Sequence, residues 1–169
     1  MPSGAQDGFA EEIQMTYAYG TQNPAGPTSL VEVAGHMLAI HDDLLDDDED
    51  LPDVLDEKTA LEIIHREYVS GTCGAFAIVL HDLTGHPIVG INGGMHVAVR
   101  CPDGEILDFV GKAPLRTVAR RYGMKNPPVT DWTRDEAVDH VLMGEPEGDP
   151  WDDVAVARWV MEKMGRWAA

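Results

Sequence analysis

Residues 71–111 read GTCGAFAIVLHDLTGHPIVGINGGMHVAVRCPDGEILDFVG. Two periodicities meet in this stretch. From Cys73 to Leu83 the chain is apolar almost all round, which predicts a central, buried helix. Gly85 is placed to stop it in a left-handed conformation. Strand signals follow: a short run from Pro87 to Ile91, a tight turn at Asn92-Gly93-Gly94, and a Val-rich alternation from Met95 to Cys101. Pro102-Asp103-Gly104 is a second turn, and Glu105 to Val110 is the returning strand. A helix that feeds a small antiparallel sheet points to an α+β fold.

The second turn decides which side chains share a face. Pro suits the first central position of a type I turn, and Gly104 suits the left-handed residue that follows. Together they predict a three-residue hairpin loop with a bulge at the glycine. Such a loop pairs Cys101 with Glu105. Continuing the register, Ala98 faces Asp108 and His96 faces Val110. His96 and Asp108 then become diagonal neighbours on one face, within reach of a carboxylate–imidazole contact. A two-residue turn would put them on opposite faces. The odd-numbered set, Met95, Val97, Val99, Leu107 and Phe109, is apolar and is expected to face a core. Cys101 belongs to that set. It points away from His96, reads as structural, and is poorly placed for a disulfide to Cys73.

Cys73 stands at the start of the predicted helix, where unpaired backbone N–H groups and the helix dipole favour an anion. A thiolate is the nucleophilic form of cysteine. The same N–H groups can donate to an oxyanion. A histidine whose tautomer is fixed by a carboxylate leaves its other ring nitrogen for the thiol. Cys73, His96 and Asp108 are therefore the candidate catalytic triad. Gly71, Thr72 and Gly74 surround the sulfur and are the candidate substrate-binding backbone. Arg100 shares the predicted face of His96; it either binds a substrate carboxylate or pairs with the abundant acids.

Outward from this stretch the pattern is helical. Residues 1–27 form an N-terminal arm with several Gly and Pro and no clear period, and 28–169 are expected to form one domain. Thr28 and Ser29 are placed to cap a helix from about Leu30 to Leu45. A second helix is expected over Glu57 to Tyr68. Pro114 opens a short helix through Arg121, Pro127-Pro128 reads as a linker, and Thr133 caps a helix to about Met143. A last helix is expected from Trp151 to Trp167. The four tryptophans, Trp132, Trp151, Trp159 and Trp167, are read as helix-packing residues or as a border of the substrate groove.

The residues Gly71-Thr72-Cys73, Phe76-Ala77, Leu80, Gly85, Pro87 and Gly90 resemble the transglutaminase-like branch of the papain-like cysteine protease superfamily. There a G-x-C-x-x-F-A pattern opens the nucleophile helix, G-x-P begins the next strand, and a strand histidine and a strand aspartate follow. The resemblance covers residues 71–111. It implies a papain-like core, with the nucleophile helix packed on a small antiparallel sheet and flanked by further helices. It implies Cys73 as nucleophile, His96 as general base and acid, and Asp108 as the orienting carboxylate. Two features depart from the pattern: the interval from Cys73 to His96 is short, and Val97 stands where an aromatic residue often follows the histidine. Family members include peptidases, amidases, deamidases and transferases, all working through a thioester.

The bulk composition narrows the alternatives. Of 169 residues, 30 are acidic and 12 basic, a formal net charge of -18. Such a surface repels nucleic-acid phosphates and anionic lipid headgroups, so neither is an expected partner. No apolar run approaches the ~20 residues that span a bilayer. Met1 to Phe9 lacks the basic start and apolar middle of a signal peptide, so a cytoplasmic protein is expected. The two cysteines follow no zinc spacing. His65, His81 and His86 follow no metal motif, His36 and His41 do not share a helix face, and Asp46 to Asp50 lacks the spaced ligands of a calcium loop. No metal or cofactor is expected. The expected activity is a cysteine hydrolase acting on a peptide or amide bond. Two alternatives stand beside it: an acidic binding protein or inhibitor that mimics nucleic acid, and an acyl or amide transferase that shares the triad.

Overall fold

A Ser/Thr start signal followed three residues later by Glu or Gln marks a helix N-terminus, because the side chains answer otherwise unpaired N–H groups. In the computed structural model, which describes residues 26–40, 55–144 and 151–165, this signal works twice. The Ser29 hydroxyl accepts from the Glu32 N–H at 3.1 Å at the head of helix α1, Leu30–Ile40. The Thr133 N–H donates to the Glu136 carboxylate at 2.7 Å, and the Glu136 N–H donates back to the Thr133 hydroxyl at 3.2 Å. That reciprocal pair opens α5, Arg134–Gly144. Asp56 caps α2, Glu57–Ser70, by accepting from the Thr59 N–H. The expected extension of α1 to Leu45, together with His41, the acidic run Asp46–Asp50, most of the N-terminal arm and Trp167, lies outside the described residues.

The chain divides into two compact units, 1–64 with 146–152, and 65–145 with 153–169. In the first, Val33, Ala34, Ala60 and Ile64 are fully buried, and the His36 ring lies 4.3 Å from that of Trp151. The second unit carries the whole sheet. Its central helix α3, Cys73–Thr84, is buried continuously from Cys73 to Leu80 and ends at Gly85, which takes φ 71° and donates to the His81 carbonyl. α3 packs against strand β2, α5 and α6, Asp153–Met164. Asp82 ties these helices on the outside: its carboxylate accepts from Arg134 at 2.9 Å and from Arg158 at 3.0 Å.

The sheet is antiparallel, five-stranded and ordered β4-β3-β2-β1-β5. Its strands are β1 Ile88–Ile91, β2 His96–Arg100, β3 Ile106–Asp108, β4 Gly111–Ala113 and β5 Val129–Trp132. The fold is thus α+β, with six helices among the described residues. The first two strands are buried on both faces, as central strands must be. Val89, Ile91, Ala98 and Ile106 form one apolar face, covered by Val118 of α4, Leu115–Arg121. The opposite parity carries Val97, Val99 and Phe109, and the Phe109 ring meets those of Phe76 and Tyr68 at 5.0 and 5.2 Å.

Three features differ from the sequence reading. Met95, expected in the apolar face, is 66% exposed, because β2 starts one residue later and Met95 belongs to the turn. The stretch between the Pro127-Pro128 linker and Thr133, to which the sequence reading assigns no element, is the edge strand β5, paired with β1 from Ile88↔Trp132 to Ile91↔Val129. Gly111–Ala113 forms a further short strand beside β3.

Candidate active site

The hairpin loop sets the site. The Cys101 N–H donates to the Glu105 carbonyl at 2.8 Å, the Gly104 N–H donates to the Cys101 carbonyl at 2.9 Å, and Gly104 takes φ 85°. These are the marks of a three-residue loop with a glycine bulge. β2 and β3 then pair Val99↔Leu107 and Arg100↔Ile106, the expected register. His96 and Asp108 fall on one face, and their side chains meet: Nε2 of His96 lies 3.0 Å from Oδ2 of Asp108. Both residues are almost completely buried, at 1% and 3% exposure.

The carboxylate is held from four sides. Besides His96, Asp108 accepts from Nη1 of Arg121, at 3.0 Å to Oδ2 and 3.3 Å to Oδ1. Oδ1 also accepts the backbone N–H groups of Val110 at 2.9 Å and Gly111 at 3.2 Å. Burial pushes the Asp108 carboxyl up, but the His96 hydrogen bond and charge, with Arg121 and the Val110 N–H, hold it below its ordinary value. A buried carboxylate with this many donors stays ionised.

His96 has two neighbours that favour its charged form. Burial opposes the imidazolium, yet the hydrogen bond to Asp108 and the nearby Cys73 sulfur, with the charges of both, raise it to about 9. Since Nε2 is occupied by Asp108, Nδ1 is the ring nitrogen left for the sulfur. Nδ1 is buried and has no hydrogen-bond partner among the described residues. His96 opens β2 and Cys73 opens α3, so the imidazole sits where the two elements begin. The structure therefore brings Cys73, His96 and Asp108 together.

The other candidate residues divide. Thr72 precedes the helix without capping it: its hydroxyl makes no cap bond and is buried without a partner among the described residues. Gly71 and Gly74 have internal reasons to be glycine. A Cβ on Gly71 would collide with the buried Glu67 carboxyl. One on Gly74 would lie 3.0 Å from Val141 and 3.5 Å from His140. Arg100 closes β2, at the end away from His96, and pairs at the surface with Asp131 at 2.6 Å. Of the two roles left open for Arg100, the pairing with an acid is the one seen. Cys101 is buried and free, and burial raises its thiol above the ordinary value. His81 is engaged locally, its Nδ1–H donating to the His86 carbonyl at 2.7 Å.

Two residues escape the sequence reading. Arg121 and Tyr122 end the short helix α4 and both turn to the His96–Asp108 pair. Tyr122 stacks on the imidazole, with ring centroids 4.2 Å apart and planes 28° from parallel. The only sequence signal is the predicted helix from Pro114 through Arg121, which says nothing of what it packs on. Trp132, read as a helix-packing residue or a border of the groove, ends β5; its indole lies against Gly90 and Gly94, in an edge-to-face arrangement with His140.

No protein-family model, curated protein or solved structure matches the chain. The chemistry of the site thus rests on its own geometry.

Proposed function

We propose that the protein is a cysteine-dependent hydrolase that cleaves a peptide or amide bond through a thioester on Cys73, on a papain-like core. The observation that carries this reading is the buried His96–Asp108 pair at 3.0 Å, whose other ring nitrogen is buried without a hydrogen-bond partner among the described residues while the Cys73 sulfur is near enough to act on the ring. A buried ion pair costs desolvation and is weak support for stability, which makes a chemical use the better account of it.

In this reading the Cys73 thiolate attacks the carbonyl carbon. The C–S bond forms while the carbonyl π pair moves to oxygen. Collapse of the intermediate breaks the C–N bond, and the His96 imidazolium gives its proton to the departing amine. Neutral His96 then takes a proton from water, which attacks the thioester and releases acid and thiolate. Asp108 keeps Nε2 protonated, so Nδ1 is the atom that trades the proton. An amine in place of water would make the same site a transferase, and added amine acceptors followed by product analysis separates the two.

The test is selective alkylation. Iodoacetamide near neutral pH should label Cys73 far faster than Cys101. Equal, slow labelling of both thiols would remove the nucleophile from this reading. A second reading, an acidic binding protein, is favoured by the net charge of -18. It predicts a strongly salt-sensitive complex with a basic partner that is indifferent to Cys73→Ala.

A further inference from the structure

The Tyr122 ring stacks on His96. Its hydroxyl is the unexplained part. The oxygen is buried and has no hydrogen-bond partner among the described residues. A buried hydroxyl left unpaired costs about 1–3 kcal/mol, so a folded chain gains nothing by keeping it. A phenylalanine would give the same stack and the same contact with the apolar face of Val89, Ile91, Ala98, Ile106 and Val118.

The surroundings say what the hydroxyl is for. The phenol lies close enough to Cys73 and Asp108 for both charges to act on it, and burial together with those charges disfavours the phenolate. Tyr122 is therefore held as a neutral O–H donor with its ring against the imidazole of the site. Nδ1 of His96 and the hydroxyl of Thr72, the residue before Cys73, are likewise buried without a partner among the described residues. Nδ1 carries the proton of the reaction. Thr72 stands at the N-cap position, immediately before the helix.

We infer that the Tyr122 hydroxyl is a catalytic donor to the acyl oxygen of the substrate, strengthening as that oxygen becomes an oxyanion on attack by Cys73. The inference rests on the reading of Cys73 as a nucleophile and adds the group that receives the charge it displaces. The phenol keeps its proton throughout. It donates a hydrogen bond to the tetrahedral oxyanion and weakens that bond when the carbonyl re-forms. It would act together with backbone N–H groups at the start of α3, which the Thr72 side chain does not cap. The ligand class is a carbonyl compound with an electrophilic acyl carbon, the carbonyl oxygen directed toward Tyr122.

The experiment compares two reactions of one sulfur in wild type and Tyr122→Phe. p-Nitrophenyl acetate acylates Cys73 through a tetrahedral oxyanion, whereas iodoacetamide alkylates it with none. In Tyr122→Phe, acylation should slow on the order of 100-fold, the usual loss for one oxyanion donor. The alkylation rate, its pH profile and the melting temperature should not fall; the alkylation rate also checks that the site is still assembled. An unchanged acylation rate overturns the inference. So does an equal slowing of both reactions, which would make Tyr122 a positioning residue for His96. Wild type that alkylates Cys73 no faster than Cys101 and shows no acylation overturns the hydrolase reading itself, a result distinct from either of these.

Discussion

Val99 faces Leu107 across the β2–β3 hairpin, and this pairing fixes the parity that puts His96 and Asp108 on one face. The pairing depends on one left-handed residue, Gly104 at φ 85°. An alanine there meets no neighbouring atom within 4 Å, so the cost of Gly104→Ala is purely conformational. It should destabilise the protein by roughly 1–2 kcal/mol. Chemical denaturation measures this. No loss of stability would mean that the loop has another low-energy form.

The His96–Asp108 pair makes stability depend on pH in two directions. His96 is raised from 6.5 to about 9, so its contribution is complete below pH 6.5 and is lost as pH rises through about 9. At 1% exposure water screens the imidazole little, and the contribution is on the order of 3 kcal/mol. Asp108 is lowered from 3.8, so its contribution is complete above that value and disappears as the pH falls through its depressed folded value. The pair should stabilise most between about pH 4 and 6.5. Urea midpoints of wild type and His96→Gln, followed from pH 4 to 10, should converge at the alkaline end. A constant gap across that range would contradict the raised imidazole.

Arg121 is the third partner of the Asp108 carboxylate and is 27% exposed on its side chain. Arg121→Gln should cost roughly 1–3 kcal/mol, below the loss for a fully buried partner, because water can approach. Lysine offers a single point charge and should restore part of that loss. The Asp108 carboxyl should also titrate at a higher pH in Arg121→Gln, readable by NMR of the carboxyl carbon. An unmoved titration would mean that His96 and the backbone donors alone hold the charge.

Trp132 occupies the space that side chains at positions 90 and 94 would need. A Cβ on Gly94 would lie 2.7 Å from its ring, and one on Gly90 would also collide with it. Gly90→Ala should therefore destabilise by roughly 1–3 kcal/mol, as overpacking does. In a Trp132→Ala background the same change should cost much less. A double-mutant cycle gives the coupling, and additivity would show that the indole is free to move aside.

Much of the site was legible because it rests on local chemistry. Pro102-Asp103-Gly104 specifies a loop, the loop specifies a register, and the register joins His96 to Asp108. The helix caps at Ser29 and Thr133 and the stop at Gly85 are equally local. What was not legible depends on distant packing. Nothing near Val129 announces a strand, because its pairing partner, Ile91, lies far back in the chain. Arg121 and Tyr122 reach the site through the docking of α4 on the sheet, which no periodicity encodes. Gly71 and Gly74 were legible as bare backbone, but the groups that require them to be bare, Glu67 and Val141, become visible only in three dimensions.

The strand order also implies a sequence of folding events. β1 to β4 are joined by consecutive short turns, so each new pairing closes a small loop at little entropic cost. β5 returns from beyond α4 to the free edge of β1, a long closure that lowers the rate of any step requiring it. The meander is thus expected to assemble first and to leave β1 as a temporary edge. Trp132, carried on β5, then becomes a fluorescent reporter of the last strand to arrive.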